Sequence, residues 1–178
     1  AEAQGVALED GTLIFPAQFF EEAPGGGVVF PDGEWRIGCG ACRARWVGSD
    51  RLEWRLGERV TLGAERSSRG LCEPTLVALD DGRLVMIARG GKPRTGDVAG
   101  VKFLLVSGDG GSTWSAPETL RYDDGAPVYS PSSMVQAFRW EAAGGVWLVT
   151  NMFETDATWP HMNCDPRYPI QLAELDPG

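Results

Sequence analysis

Two groups of residues in this chain have types and spacing that chemistry could use. The first is the run "SGDGGSTWSAPETL" at 107–120, which sets a serine, an aspartate and a threonine against a tryptophan. Such a cluster either supplies a candidate acid or builds a turn. The second is Glu73 and Arg89, placed at equal distances on either side of Asp81. If Asp81 marks a hairpin turn, the two are approximate cross-strand neighbours at the open end of that hairpin. Read plainly, they are an ion pair worth about 0.2–1 kcal/mol. If the open end faces a pocket, they become site residues. Other candidates are thinner. Cys39 and Cys42 form one C-x-x-C with no second pair at a zinc spacing, and His161 with Cys164 and Asp165 is too sparse for a metal. Neither a metal nor a cofactor is expected.

The elements that must position these residues repeat along the chain. "LEDGTLIF" (8–15) and "LDDGRLVM" (79–86) share L-x-D-G-x-L, and "WRLGERV" (54–60) and "WSAPETL" (114–120) share a tryptophan and a glutamate at one spacing. A worn third copy, "GGVWLV" (144–149), replaces the D-G turn with Gly-Gly. Long periods of this kind belong to arrays, solenoids and propellers. D-G between alternating apolar residues is a strong hairpin signal, so "TLVALDDGRLVMIAR" (75–89) reads as two strands. "VKFLLVS" (101–107) adds a third strand and "APETLRY" (116–122) a fourth, with no helical periodicity anywhere. Four short strands per repeat make a β-propeller blade. Blade one is predicted over about 4–62, blade two over about 72–121, and blade three over about 131–178, ending on the strand "PIQLAELDP" (169–177) without a fourth. Three blades cannot close a ring, and their open edges invite pairing. The expectation is a fragment of a longer propeller, with self-association of two copies as the alternative.

Composition narrows the function classes. The 178 residues are 43% hydrophobic and 23% charged, enough for one soluble domain with a core. A net charge of −9 argues against a nucleic-acid partner, and no apolar run reaches the length of a membrane span. The cysteine count does not fix the compartment.

Residues 107–114 fit S-x-D-x-G-x-T-W at Ser107, Asp109, Gly111, Thr113 and Trp114. That run resembles the Asp-box of sialidases (neuraminidases) and their BNR-repeat relatives. The physical basis of the spacing is a tight turn: the aspartate accepts from the turn's own amides, glycine supplies positive φ, and the tryptophan folds into the blade. "VGSDRLEWRLGE" (47–58) reads as a decayed copy that keeps Asp50 and Trp54. The box is thus expected to be structural. The resemblance extends to "CEPTLVALDDGRLVMIAR" (72–89) and "PRYPIQLAELDP" (166–177). It implies a six-bladed all-β propeller of which this chain holds about three blades. By the likeness, Glu73 would accept the proton of a nucleophilic tyrosine, and Arg89 and Arg167 would belong to an arginine triad gripping a substrate carboxylate. The activity implied is retaining hydrolysis of a terminal sialic acid or related sugar from a glycan, in a secreted or periplasmic setting. The alternative is a non-catalytic carbohydrate-binding propeller. The early arginine and acid/base aspartate of the pattern find no match here, and none of Tyr122, Tyr129 and Tyr168 sits in the context of the nucleophile. The chain alone is therefore expected to be inactive. The long stretch 154–169 offers Trp159 as a surface that could stack on a sugar.

Overall fold

Short turns built on Asp-Gly set the architecture. At Leu79–Arg83 the Asp81 carboxylate accepts from the Arg83 amide (2.9 Å), the Leu79 amide donates to the Arg83 carbonyl (2.8 Å), and Gly82 takes φ 84°. The same bonds recur at Leu8–Thr12 about Asp10 and Gly11, and again at Tyr122–Ala126 about Asp124 and Gly125. Glycine occupies the left-handed position each time because a Cβ is disfavoured there.

The computed structural model describes residues 4–20, 25–28, 37–91, 100–153 and 167–176. Among them there is no helix, and eleven strands form three antiparallel sheets, none closed into a barrel. Sheet 1 runs β1 (Val6–Ala7), β2 (Leu13–Phe20), β3 (Ile37–Val47) and β4 (Arg51–Leu56) in that order. Sheet 2 runs β5 (Cys72–Ala78), β6 (Leu84–Arg89), β7 (Lys102–Ser107) and β8 (Glu118–Thr119). Sheet 3 has the order β11 (Gln171–Leu175), β10 (Val146–Thr150), β9 (Gln136–Arg139). The strand expected over 116–122 is thus reduced to two residues.

Sheet 2 lies between the other two. One face packs Leu76, Leu84, Met86, Phe103 and Leu105 against Ile14, Cys39 and Ala41 of sheet 1. The other packs Val77, Val85 and Ile87 against Val135, Ala137, Val146, Leu148 and Leu175 of sheet 3. All six residues of β6 are accordingly buried, which is why "LVMIAR" is apolar on both faces rather than alternating.

The turn at 107–114 joins sheet 2 to sheet 1. Asp109 Oδ1 accepts from the amides of Ser112 (3.0 Å) and Thr113 (2.9 Å) and from the Ser107 hydroxyl (2.8 Å), while Oδ2 accepts from the Thr113 hydroxyl (2.7 Å). The Thr113 amide is the leading cause that holds the Asp109 carboxyl down at about 2; the Thr113 and Ser107 hydroxyls and the Ser112 amide add to it. Gly111 has φ 78° and donates to the Ser107 hydroxyl at 2.9 Å. The turn then docks: Glu58 donates its amide to the Ser112 carbonyl (2.8 Å), Trp114 donates its amide to the Glu58 carboxylate (3.1 Å), and Arg43 bonds the Ser112 hydroxyl. Trp114 is 9% exposed within the core between sheets 1 and 2. The stretch 47–58 behaves differently. It is a tight β3–β4 hairpin with Gly48 at φ 67°, and Trp54 stands 57% exposed against Phe15 (ring centroids 5.7 Å). Without the second glycine and the threonine, this turn does not fold its tryptophan inward.

Candidate functional site

The ends of β5, β6 and β7 bring the chemistry together. Cys72, Arg89 and Lys102 stand directly opposite one another across three neighbouring strands. Alternation along β6 and β7 puts Arg89 and Lys102 on the face shared by Ile87, Leu104 and Val106, toward sheet 3. Glu73 is not the direct partner of Arg89. A bulge between Cys72 and Thr75 shifts the register by inserting one extra residue, and Glu73 within it has φ 45°. A non-glycine residue there costs about 1–3 kcal/mol. The bulge re-aims the side chain, as bulges beside functional sites often do: Arg89 Nη1 donates to Glu73 Oε2 at 2.5 Å.

Neighbouring elements hold this arrangement. The Gln18 side chain on β2 accepts from the Glu73 amide (2.9 Å), and the Ser67 hydroxyl accepts from the Gly91 amide (2.8 Å) while donating to the Gly70 carbonyl (2.6 Å). The segment before β9 supplies the remaining wall. Ser130 donates its hydroxyl to the Asn151 carbonyl (2.7 Å), and Ser132 accepts from Arg89 Nε at 2.7 Å. Arg89 is only 7% exposed.

Lys102 is missing from the residues expected to matter, although it is 0% exposed. Its ammonium donates to the carbonyl of Ser133 and lies 3.4 Å from that residue's hydroxyl. Burial chiefly, and then the Arg89 guanidinium, pull its pKa down to about 7; Glu73 opposes this and Arg167 adds to it. The signal in the sequence was a lysine in phase with Leu104 and Val106 on a buried strand.

Arg167 is exposed and precedes β11, and it is close enough to Lys102 to depress its ionisation. The stretch that leads from Arg167 into β11 is held by Asn151, which donates to the Pro169 carbonyl (2.7 Å), and by Gln171, which bridges the backbone of Met152. Among the described residues the charged groups that act on Lys102 are Arg89, Arg167 and Glu73. Tyr129 is half-buried and bridges Val101 and Phe153 through its backbone. Trp159, His161, Cys164 and Asp165 lie outside the described residues. Among those described, no group of acidic, histidine and cysteine side chains could hold a metal. No helix of the described chain is long and apolar enough to cross a membrane. A separate cleft of about 560 Å³ is lined by Leu120, Val128, Leu148 and Met152 with Asp123 and Asp124, and includes none of the four charged residues above.

No protein-family model matches the sequence, and no curated protein does. Among solved structures, the fold is similar to the crystal structure of a protein of unknown function from Dyadobacter fermentans DSM 18053, with 14% identity and a TM-score of 0.48. The match covers 98% of this chain, which spans 41% of the length of that one.

Proposed function

We propose that the three sheets are consecutive blades of a sialidase-type propeller, in whose site Arg89 and Arg167 bind the carboxylate of a sialic acid or related sugar and Glu73 accepts the proton of a tyrosine. One observation carries the reading. Among the described residues Arg89 and Lys102 are buried at neighbouring strand ends, Arg89 bonded to Glu73, and Arg167 acts on the same place. A planar guanidinium suits a carboxylate through paired N–H donors, and Arg89 holds one at the end of a buried strand. The Asp-box geometry and the inward Trp114 support the same family reading.

In the full reaction of that class a tyrosine attacks the sugar and Glu73 takes its proton, giving retention. Among the described residues Glu73 bonds Arg89 and Gln18, and no tyrosine reaches it. The second reading is that the chain binds an anionic sugar without cleaving it. The two are tested together. Isothermal titration with N-acetylneuraminic acid and with its methyl ester is expected to give binding of the acid only, weakened at least tenfold by Arg89→Lys. Equal binding of the ester would remove the charge argument. Hydrolysis of a fluorogenic sialoside by the 178-residue chain would overturn the second reading.

A further inference from the structure

A buried ammonium with no carboxylate bonded to it is costly, and a leucine or methionine at position 102 would extend the apolar row of Leu104 and Val106 without that cost. Among the described residues Lys102 forms no ion pair, and its hydrogen-bond acceptors are both on Ser133. Ser133 adjoins Ser132, whose hydroxyl takes the Nε–H of Arg89 at 2.7 Å. Ser132 and Ser133 are themselves buried, in a segment that enters β9 directly. The chain of contacts runs from β7 through this serine segment to the guanidinium on β6, the strand beside β7.

We propose that Lys102 is a positioning residue for Arg89: its ammonium anchors the Ser133 carbonyl, and the anchored segment holds the Ser132 hydroxyl where it fixes one edge of the guanidinium, with Glu73 fixing another. Charged and titratable groups face Lys102 from every side: Arg89 on β6, Glu73 on β5 and Arg167 ahead of β11. Below neutral pH the anchor is charged and strong. Above it, deprotonation leaves an amine that donates more weakly, and the site loses one positive charge. Arg89 thus becomes less firmly oriented as Lys102 loses its proton. The consequence for ligand binding rests on the reading of Arg89 as the carboxylate-gripping group, whereas the positioning itself does not.

The test reads the ligand-free protein by NMR, with the Arg89 Nε–H signal assigned by its loss in Arg89→Lys. In the wild type this proton is expected to be protected, and its shift to follow the titration of the Lys102 Cε signal between pH 6 and 8.5. In Lys102→Met the proton is expected to exchange at least tenfold faster at pH 6, approaching the behaviour of Ser132→Ala. Unchanged protection in Lys102→Met would overturn the proposal. If that variant does not fold, the wild-type profile decides: an Arg89 signal that stays flat while Lys102 titrates overturns it, and one that moves with Lys102 supports it. Failure of sialic acid to bind would leave all these readouts intact, so the two ideas fall separately.

Discussion

Arg89 and Lys102 face each other across the β6–β7 ladder, two cations on one face of a sheet whose next inward pair, Ile87 and Leu104, is apolar. Like charges directly opposite repel. Glu73 relieves that repulsion from within its bulge, through the Arg89–Glu73 ion pair.

Substitutions at Glu73 therefore separate charge from strain. Glu73→Gln keeps the shape and strips one carboxylate partner from a guanidinium that is almost wholly buried. A loss of about 3 kcal/mol is expected, which for a chain of this size lowers Tm by roughly 6–12 °C. Glu73→Gly and Glu73→Ala both delete the carboxylate, but only glycine accepts φ 45° freely. Urea titration is expected to find the glycine variant more stable than the alanine variant by about 1 kcal/mol. The reverse order would mean that the backbone there is unstrained.

Acid sensitivity should map to the Asp-box. The folded-state carboxyl of Asp109 ionises at about 2, below the ~3.9 of an unfolded aspartate. Its stabilisation is thus full above about pH 4 and lost as pH falls toward 2. Asp10, held down by Thr12, and Asp81, held down by Arg83, are shifted in the same direction. Asp109→Asn is expected to flatten the acid limb of a stability-versus-pH curve without abolishing it. An unchanged slope would show that the carboxylate is not held by the turn.

Close backbone approach makes a different prediction at Gly57. A Cβ there would stand 2.1 Å from the carbonyl oxygen of Gly111, whereas one at Gly108 would meet nothing within 4 Å. Gly57→Ala is expected to cost about 1–3 kcal/mol by forcing sheet 1 off the turn. Gly108→Ala, three residues away from the contact point, is expected to stay within about 0.5 kcal/mol of the wild type. Parallel denaturation curves check both.

The two tryptophans that look equivalent in the sequence should differ sharply. Trp114→Ala removes a buried ring and is expected to cost about 3–5 kcal/mol. Trp54→Ala removes an exposed ring with one aromatic neighbour and is expected to cost less than about 1 kcal/mol. Intrinsic fluorescence gives an independent check, with a red-shifted, quencher-accessible Trp54 and a blue-shifted Trp114.

Much of this was legible in the chain because local signals and tertiary packing agree. The D-G turn at 81–82 and the apolar alternation around it predict the β5–β6 hairpin, and the Asp-box spacing predicts its own hydrogen bonds. The pairing of Glu73 with Arg89 was also within reach, since residues equidistant from a turn meet at the hairpin's open end. What symmetry could not supply was the bulge: Cys72, not Glu73, is the partner in register, because positive φ at a glutamate has no propensity signature. Lys102 was hidden for a related reason. At the edge of "VKFLLVS" a lysine ordinarily ends a strand in water, and only the third sheet, packed across that face, buries it. Trp54 misled in the opposite direction, since half an Asp-box keeps a hairpin but not the fold-back.

The docking of the Asp-box turn onto Gly57, Glu58 and Arg43 bears on how the molecule opens. Backbone amides of one sheet are satisfied there by groups of its neighbour: Glu58 by Ser112, and Trp114 by the Glu58 carboxylate. Sheets 1 and 2 cannot separate without exposing those amides together, so under native-state hydrogen exchange the two are expected to behave as one cooperative unit. Sheet 3 is tied to sheet 2 in a similar way, by apolar packing, by the Thr75 hydroxyl accepting from the Ala137 amide, and by Arg139 donating to the Ala78 carbonyl and the Asp80 carboxylate. The turn at 107–114 thus makes sheets 1 and 2 open together.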